Sequence, residues 1–282
     1  MQGHMSTRNN SSGRIRLLLV IRWPVGGIRT FVRYVFRKFD PQRYMFFILA
    51  PDVPELRIML DDLKPHDVTY IACPTDPTPW EFFRLVQRTI FSGVYDLVHA
   101  HGITSGVFSA IACRLRGIPL VLTPHDTFND KQFNGFKGSM KKIALNALLS
   151  LIPVINTVSY DARDNLLAYM PMLRLLRKRV VVIPNGIEVE RFISAEARDF
   201  RAELGLPADT FLVGFLGRFM SPKGFVFLVD ALQELYIDRN LSRKPHVLTF
   251  NSDSGFFREE LAEIMRKGLD SVIHFLPFTT KV

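Results

Sequence analysis

The stretch RIRLLLVIRWPVGGIRTFVRYVFRKF (14–39) decides the fold class of this chain. Its first part, IRLLLVIRW (15–23), is an almost continuous apolar run that ends at a Pro-Val-Gly-Gly turn, which is typical of a buried strand. From Ile28 to Phe39 the apolar residues recur at spacings of three and four, which places them on one face of a helix. A buried strand, a tight turn and an amphipathic helix in this order predict the start of a parallel α/β sheet.

The same alternation continues along the chain. Further apolar runs typical of strands occupy 44–51, 68–74, 96–102, 119–126, 154–160 and 179–186. Helices are predicted over about 105–115 and 137–151, and the basic segment 173–180 is interpreted as a surface linker. Because the strand runs are continuous rather than alternating, we predict a doubly wound α/β domain over residues 14–186, with both faces of a parallel sheet covered.

A second unit of the same kind is predicted over residues 187–282. The charged segment 188–207 is interpreted as a helical connection. After it, strands are predicted at 211–218, 246–253 and 272–278, with helices over 223–235 and 256–267. Three strands make this second domain look incomplete. Residues 1–13 are polar and are interpreted as a disordered or tag-like start.

Composition excludes several classes of protein. The chain has 282 residues, of which 48% are hydrophobic and 22% charged, which indicates a globular protein. Its net charge is +9, which favours an anionic partner such as phosphate, nucleic acid or an acidic membrane face. The cysteines Cys73 and Cys113 cannot form a disulfide framework and indicate a reducing compartment. The longest uncharged stretch, 143–160, contains polar residues and is interpreted as a helix and a strand rather than as a membrane span.

The segment GRFMSPKG, from Gly217 to Gly224, lies between a predicted strand and a predicted helix. A helix N-terminus offers unpaired N–H groups, and open α/β sheets bind ligands at this end of their strands. Arg218 and Lys223 add cationic groups suited to phosphate oxygens. The segment therefore indicates phosphate binding, and the alternative is that both side chains only solvate a loop.

Glycines and histidines follow other predicted strands. Gly26 and Gly27 either let a ligand approach the backbone or only form a tight turn, because the dinucleotide fingerprint GxGxxG is absent. His99 and His101 lie two residues apart and share one face of a strand, so that a zinc site is weighed against local hydrogen bonding. His125 is the histidine predicted to touch a substrate.

Six segments carry a resemblance to a known enzyme family. They are PVGGIRTFV (24–32), DLVHAHG (96–102), LTPHD (122–126), INTVSYDARDNL (155–166), VVVIPNGIEVERF (180–192) and FLVGFLGRFMSPKG (211–224). Together, in this order, they resemble a family 4 glycosyltransferase of the GT-B fold. The resemblance implies two Rossmann-like domains that face a cleft, and retaining transfer of a sugar from a UDP- or GDP-sugar to a glycan or lipid-linked acceptor.

The resemblance also implies roles for single residues. His125 matches the family's histidine near the transferred sugar, and Arg218, Lys223, Gly217 and Gly224 match the group that binds the donor diphosphate. Preorganised cations stabilise charge that develops on the leaving diphosphate, so no metal ion and no cofactor is expected beside the nucleotide sugar. Loops that bind substrate are implied at Gly26, Gly27, His101, Asn185 and Gly186. Ser159 lies in a matching segment, but capping of the following helix explains it equally well.

The chain departs from the family's pattern in its second domain. Two glutamates seven residues apart, which hold the sugar and the ribose in the family, are not assignable. The segment 247–257 has Asn251, Ser252 and Asp253 where the family has a glycine-rich strand tip. A truncated domain with weak donor binding is therefore expected, and a non-catalytic nucleotide or sugar-phosphate binding module is the alternative function.

Two basic groups of residues bear on partners and location. They are Arg29, Arg33, Arg37 and Lys38 on one predicted helix, and Lys137, Lys141 and Lys142 on another. Either group suits an anionic membrane surface, and the alternative is a solvated helix face. No nucleic acid is expected as a partner, because no RNA-binding signature accompanies the charge. The expected location is cytoplasmic, peripheral at the inner face of the membrane.

Overall fold

The computed structural model describes residues 13–217, 219, 223–238, 243–250 and 257–277. The chain divides into two compact units, of which the first ends at Ile193 and the second begins at Ser194. The division therefore falls after Ile193 rather than after Gly186. One contact that holds the intervening segment to the first unit is the ion pair of Glu188 with Lys38, at 2.9 Å. Residues 1–12, interpreted as disordered or tag-like, lie outside the described residues.

The first unit is built on a parallel sheet. Its strands are β1 (Ile15–Ile21), β2 (Tyr44–Leu49), β3 (Val68–Ile71), β4 (Leu97–His101), β5 (Leu120–Thr123), β6 (Val154–Thr157) and β7 (Arg179–Val182). They are hydrogen-bonded in the order β3-β2-β1-β4-β5-β6-β7. Strand addition reverses direction between β1 and β4, and such a switch point opens a crevice at the carboxyl ends of the strands. The predicted α/β class is confirmed.

Helices cover both faces of this sheet. They are α1 (Gly27–Phe36), α2 (Pro54–Asp62), α3 (Pro79–Ser92), α4 (Ile103–Arg116), α5 (Gly135–Leu149), α6 (Tyr160–Tyr169), α7 (Pro171–Leu175) and α8 (Val189–Ile193). Leu17 and Leu19 of β1 pack with α1 and α2, while Leu18 and Val20 pack with α3 and α4. Burial on both faces explains why β1 is a continuous apolar run in the sequence.

The second unit is smaller and has the same parallel arrangement. Its elements are α9 (Phe200–Glu203), β8 (Leu212–Phe215), α10 (Phe225–Ile237), β9 (His246–Phe250), α11 (Phe257–Arg266) and β10 (Ile273–Leu276). The strands pair in the order β10-β9-β8. A cluster that includes Phe219, Phe225 and Val247 forms its core.

Two local predictions are wrong. The segment 173–180 is not a surface linker, because Leu173 is fully buried and β7 begins at Arg179. The segment 188–207 is not one helix, since the chain passes from one unit to the other between α8 and α9. There Asp199 starts a new helix by accepting the backbone N–H groups of Arg201 and Ala202 at 3.1 and 3.2 Å.

The uncharged stretch 143–160 has the structure expected of it. Helix α5 ends at Leu149 and strand β6 begins at Val154. Of the helices in the described part of the chain, none combines the length and the apolar character needed to cross a bilayer.

Candidate functional site

The carboxyl ends of β1, β4 and β5 meet at one edge of the first sheet. Ile21 lies beside His101 in the β1–β4 register, and His101 lies beside Thr123 in the β4–β5 register. Gly26 and Gly102, which precede α1 and α4, have φ values of 55° and 84°. Glycine adopts these values without steric cost, so the chain turns sharply from strand to helix at both places. This edge is the one at which open α/β sheets bind ligands.

Three histidines stack at this edge. The ring centroid of His101 lies 4.4 Å from that of His99 and 5.5 Å from that of His125. The Nδ1 atom of His101 is 3.2 Å from Nε2 of His125, and Nε2 of His99 is 2.8 Å from the hydroxyl of Thr123. Phe31 of α1 makes edge-on contacts with all three rings. The structure thus joins His101 and His125, which the sequence places in different segments.

Burial keeps the three histidines neutral at pH 7. It lowers the pKa of His99 to about 3 and that of His125 to about 4. The pKa of His101 is also well below its usual value, first because of burial and then because of repulsion by the two neighbouring rings. A neutral imidazole has one N–H donor and one acceptor, so one ring of the His101–His125 pair donates and the other accepts.

The direction of this hydrogen bond follows from a buried ring nitrogen that has no hydrogen-bond partner in the described part of the chain. Nε2 of His101 is buried and has no hydrogen-bond partner among the described residues. A proton there would be a buried donor without an acceptor, which is costly, so the favoured tautomer carries the proton on Nδ1 and donates it to His125. His125 then carries its own proton on Nδ1. That N–H has no acceptor within the described part of the chain.

The described residues offer no metal site at this edge. Among them, no three His, Cys, Asp or Glu side chains are arranged to hold a metal ion. The zinc alternative for His99 and His101 therefore lacks a third ligand within the described part of the chain.

In the second unit, the predicted phosphate segment lies between β8 and α10. Gly217 follows β8, and Gly224 has a φ of 75° and precedes the first turn of α10. Lys223 is exposed and has no ion-pair partner among the described residues. The fully buried rings of Phe219 and Phe225, 4.4 Å apart, anchor the segment to the core. Arg218, the predicted companion of Lys223, lies outside the described residues.

Asn185 and Gly186 are exposed and follow β7. They belong to the first unit, where the carboxyl end of β7 lies at the same edge of the sheet as the histidines. No hydrogen bond between described residues joins Asn185 to His125.

Sequence reasoning missed Arg22, which follows β1 at the same edge. Its guanidinium donates to the carbonyl of Pro77 at 3.0 Å, and its backbone N–H donates to the hydroxyl of Ser105 at 3.1 Å. Its Nη1 atom is buried without a partner among the described residues. The available signal was its position, because a charged residue directly after a buried strand stands at the ligand-binding edge.

Comparisons with known proteins bear on this arrangement. The profile of Glycosyltransferase Family 4 matches residues 25–191. D-inositol 3-phosphate glycosyltransferase 1 of Catenulispora acidiphila is 26% identical over 181 residues, which are 63% of this chain and 43% of that protein. EpsF of Bacillus subtilis, named as a glycosyltransferase, is 28% identical over 235 residues, which are 80% of this chain and 59% of that protein. The chain thus spans about half the length of these curated relatives.

Solved structures share the architecture. The Anabaena protein Alr3699/HepE, crystallised with UDP and glucose, superposes with a TM-score of 0.71 at 19% identity over 95% of this chain and 70% of that one. Sucrose-phosphate synthase of Thermosynechococcus elongatus superposes with a TM-score of 0.67 at 17% identity over 95% and 71% of the two chains. Likeness at these identities establishes the fold, which is the predicted GT-B type with a small second sheet.

Proposed function

The chain belongs to glycosyltransferase family 4, and from this premise we propose that it transfers a sugar from a UDP- or GDP-sugar to a glycan or a lipid-linked acceptor. We further propose that the configuration at the anomeric carbon is retained and that no metal ion takes part. The observation that carries the proposal is the neutral His125 at the ligand-binding edge of the first sheet. UDP in the crystals of the Anabaena protein supports UDP as the nucleotide.

His125 is proposed to hold the transferred sugar. When the bond between the anomeric carbon and the diphosphate breaks, that carbon becomes electron-poor, and a nearby positive charge would oppose the change. Burial lowers the pKa of His125 to about 4, so the ring stays uncharged at pH 7. Its Nδ1–H donates a hydrogen bond to a sugar hydroxyl, while His101 holds the ring in place through Nε2.

The segment from Gly217 to Gly224 is proposed to bind the donor diphosphate. The exposed ammonium of Lys223 and the first N–H groups of α10 are positive, and they attract phosphate oxygens. Arg218 is proposed as the second cation because of its place in the sequence. These groups offset the negative charge that the leaving diphosphate acquires, which is a role that divalent metal ions fill in other enzymes.

The test is titration calorimetry with UDP and GDP, together with cleavage of UDP-glucose in the presence of glycan acceptors. Lys223→Ala is expected to weaken UDP binding about tenfold, because a charged hydrogen bond is lost. His125→Ala is expected to keep UDP binding and to lower sugar transfer about tenfold, because one hydrogen bond to the sugar is lost. Lys131→Ala, which removes an exposed lysine of the first unit, is the matched control and should behave as the parent chain.

Two results would contradict the proposal. Unchanged UDP binding in Lys223→Ala would remove the diphosphate assignment. UDP binding by the parent chain without any sugar transfer would favour the non-catalytic binding module.

A further inference from the structure

Helix α5 is apolar on the side that faces solvent as well as on the side that faces the core. Gly138 and Leu149 are buried, whereas Phe136, Met140 and Ile143 are 81%, 51% and 63% exposed. Spacings of four and three residues align these three exposed side chains in one stripe. A surface helix normally turns polar residues to water, so the stripe marks a surface that contacts an apolar partner.

Helix α7 packs beside α5 and also has exposed apolar side chains. The side-chain oxygen of Asn146 in α5 accepts the backbone N–H of Met172 at 3.2 Å, and Leu173 is fully buried. Leu175 and Leu176 are nevertheless 78% and 49% exposed. Two adjacent helices therefore present large apolar side chains to solvent.

Cationic side chains gather beside α7. A cavity of about 510 Å³ is lined by Arg163, Arg174, Arg177 and Lys178, among others. Arg163 pairs with Asp164 at 2.8 Å. The other three have no acidic partner among the described residues. Uncompensated cations around one cavity attract an anion such as a phosphate.

Acidic residues are few around both helices, and between residues 131 and 187 they are confined to Asp161 and Asp164 of α6. Aspartate and glutamate are absent from residues 131–160 and from residues 165–187. On α5, Lys137 and Lys141 are exposed beside the apolar stripe. The surface therefore combines apolar side chains with uncompensated positive charge, as the surface of an anionic membrane requires.

The basic residues in α1 and directly after it differ, because some of them have acidic partners. Arg33 forms an ion pair with Asp62 at 3.5 Å, and Lys38 forms one with Glu188 at 2.9 Å. The sequence offered both helices as lipid contacts, but α1 has part of its charge neutralised within the first unit.

We propose that α5 and α7 form a docking surface for an anionic phospholipid bilayer. Lipid phosphates bind at Arg174, Arg177 and Lys178, and Phe136 and Ile143 enter the boundary of the acyl chains. A soluble phosphate would leave the stripe in water, and a second copy of this chain would bring like charges together. The inference rests on the proposed function in one respect, which is that a lipid-linked acceptor lies at the same membrane surface.

The test is flotation of the 282-residue chain with vesicles of phosphatidylcholine alone or mixed with phosphatidylglycerol. Binding is expected to the mixed vesicles at about 0.1 M salt and to weaken strongly at about 0.5 M salt. Arg174→Gln/Arg177→Gln should weaken it about thirtyfold, since each charge near the surface contributes about 1 kcal/mol. Phe136→Ser/Ile143→Ser should weaken it at least tenfold.

Matched controls test whether the effect is specific to this surface or follows from the loss of any exposed charge or apolar side chain. Phe211→Ser removes a side chain that is 61% exposed in the second unit, and Arg57→Gln/Arg84→Gln removes two exposed arginines of α2 and α3. Both controls should bind vesicles as the parent chain does, and circular dichroism checks that every variant is folded. The vesicles contain no sugar donor or acceptor, so flotation tests docking alone. Loss of sugar transfer in the separate assay with UDP-glucose would overturn only the proposed function.

Three outcomes would overturn the docking surface. One is a parent chain that does not float with the mixed vesicles. Another is a weakening of vesicle binding in the control variants that is as large as in the variants of the docking surface. The third is a stripe variant that binds vesicles normally but loses self-association in sedimentation, which would assign the stripe to a second copy of the chain.

Discussion

At the scale of single residues, Gly26 and Gly27 look alike in the sequence but differ in the structure. Gly26 has φ 55° and ψ −127°, which side-chain-bearing residues rarely adopt, whereas Gly27 begins α1 with an ordinary φ. A Cβ atom at either position would meet nothing within 4 Å, so only backbone strain separates them. Gly26→Ala is therefore expected to lower the free energy of unfolding by about 1–3 kcal/mol. Gly27→Ala is expected to leave it unchanged or to raise it by up to about 1 kcal/mol. Urea denaturation of both variants measures this difference, and equal losses would show that the turn does not need the unusual conformation of Gly26.

At the scale of an element, helix α6 begins at a capping serine. The Ser159 hydroxyl accepts the backbone N–H of Ala162 at 3.0 Å, as the capping interpretation predicted. Ser159→Ala is expected to lower the free energy of unfolding by about 1 kcal/mol, because an N–H group at the helix start loses its acceptor. Ser139→Ala is the matched control within α5, where the exposed hydroxyl donates to the carbonyl of Gly135 at 3.1 Å. That control should change stability by less than about 0.5 kcal/mol. Chemical denaturation decides between them, and a loss in Ser139→Ala as large as that in Ser159→Ala would argue against capping.

At the scale of the whole molecule, the buried histidines couple stability to pH. The folded-state pKa values of His99 and His125, about 3 and about 4, lie below the ordinary value of 6.5. The unfolded chain therefore binds more protons as the pH falls below about 6.5, so acid favours unfolding until the folded-state values are reached. We expect a loss of roughly 1 kcal/mol per pH unit for each of these histidines between about pH 6 and pH 4.

Thermal and urea unfolding at a series of pH values measure this dependence. In His125→Asn the free energy of unfolding should fall less steeply with falling pH. The slope should decrease by the contribution of about one proton, because a group that titrates only in the unfolded chain has been removed. The lowered pKa of His274 in the second unit also makes acid destabilise the folded chain. The difference in slope between the parent chain and His125→Asn, rather than either slope alone, therefore reports on His125. Stability that does not change between about pH 7.5 and pH 5 would contradict the neutral, buried state of the cluster.

Much of the fold could be predicted from the sequence because its information is local. Leu17, Leu18 and Leu19 of β1 are all buried, and a strand covered on both faces has few polar positions, so it appears directly as an apolar run. Gly26, His101 and His125 could be placed at strand ends for the same reason. Helix α7 has only five residues, too few to show a helical spacing of apolar side chains. Leu173 was therefore assigned to a linker, although it is buried.

The sequence by itself determined the α/β class, the order of the strands, and the positions of Gly26, His101 and His125 at strand ends. Only the tertiary structure decided that β4 lies beside β5, which brings the fully buried His101 to the half-buried His125, where removal from water keeps both rings neutral. It also decided which apolar side chains of α5 face the core and which face water. The physical reason is that composition and spacing along the chain record which residues are apolar or polar, whereas burial, ring contacts and pKa values depend on neighbours brought together across the sheet.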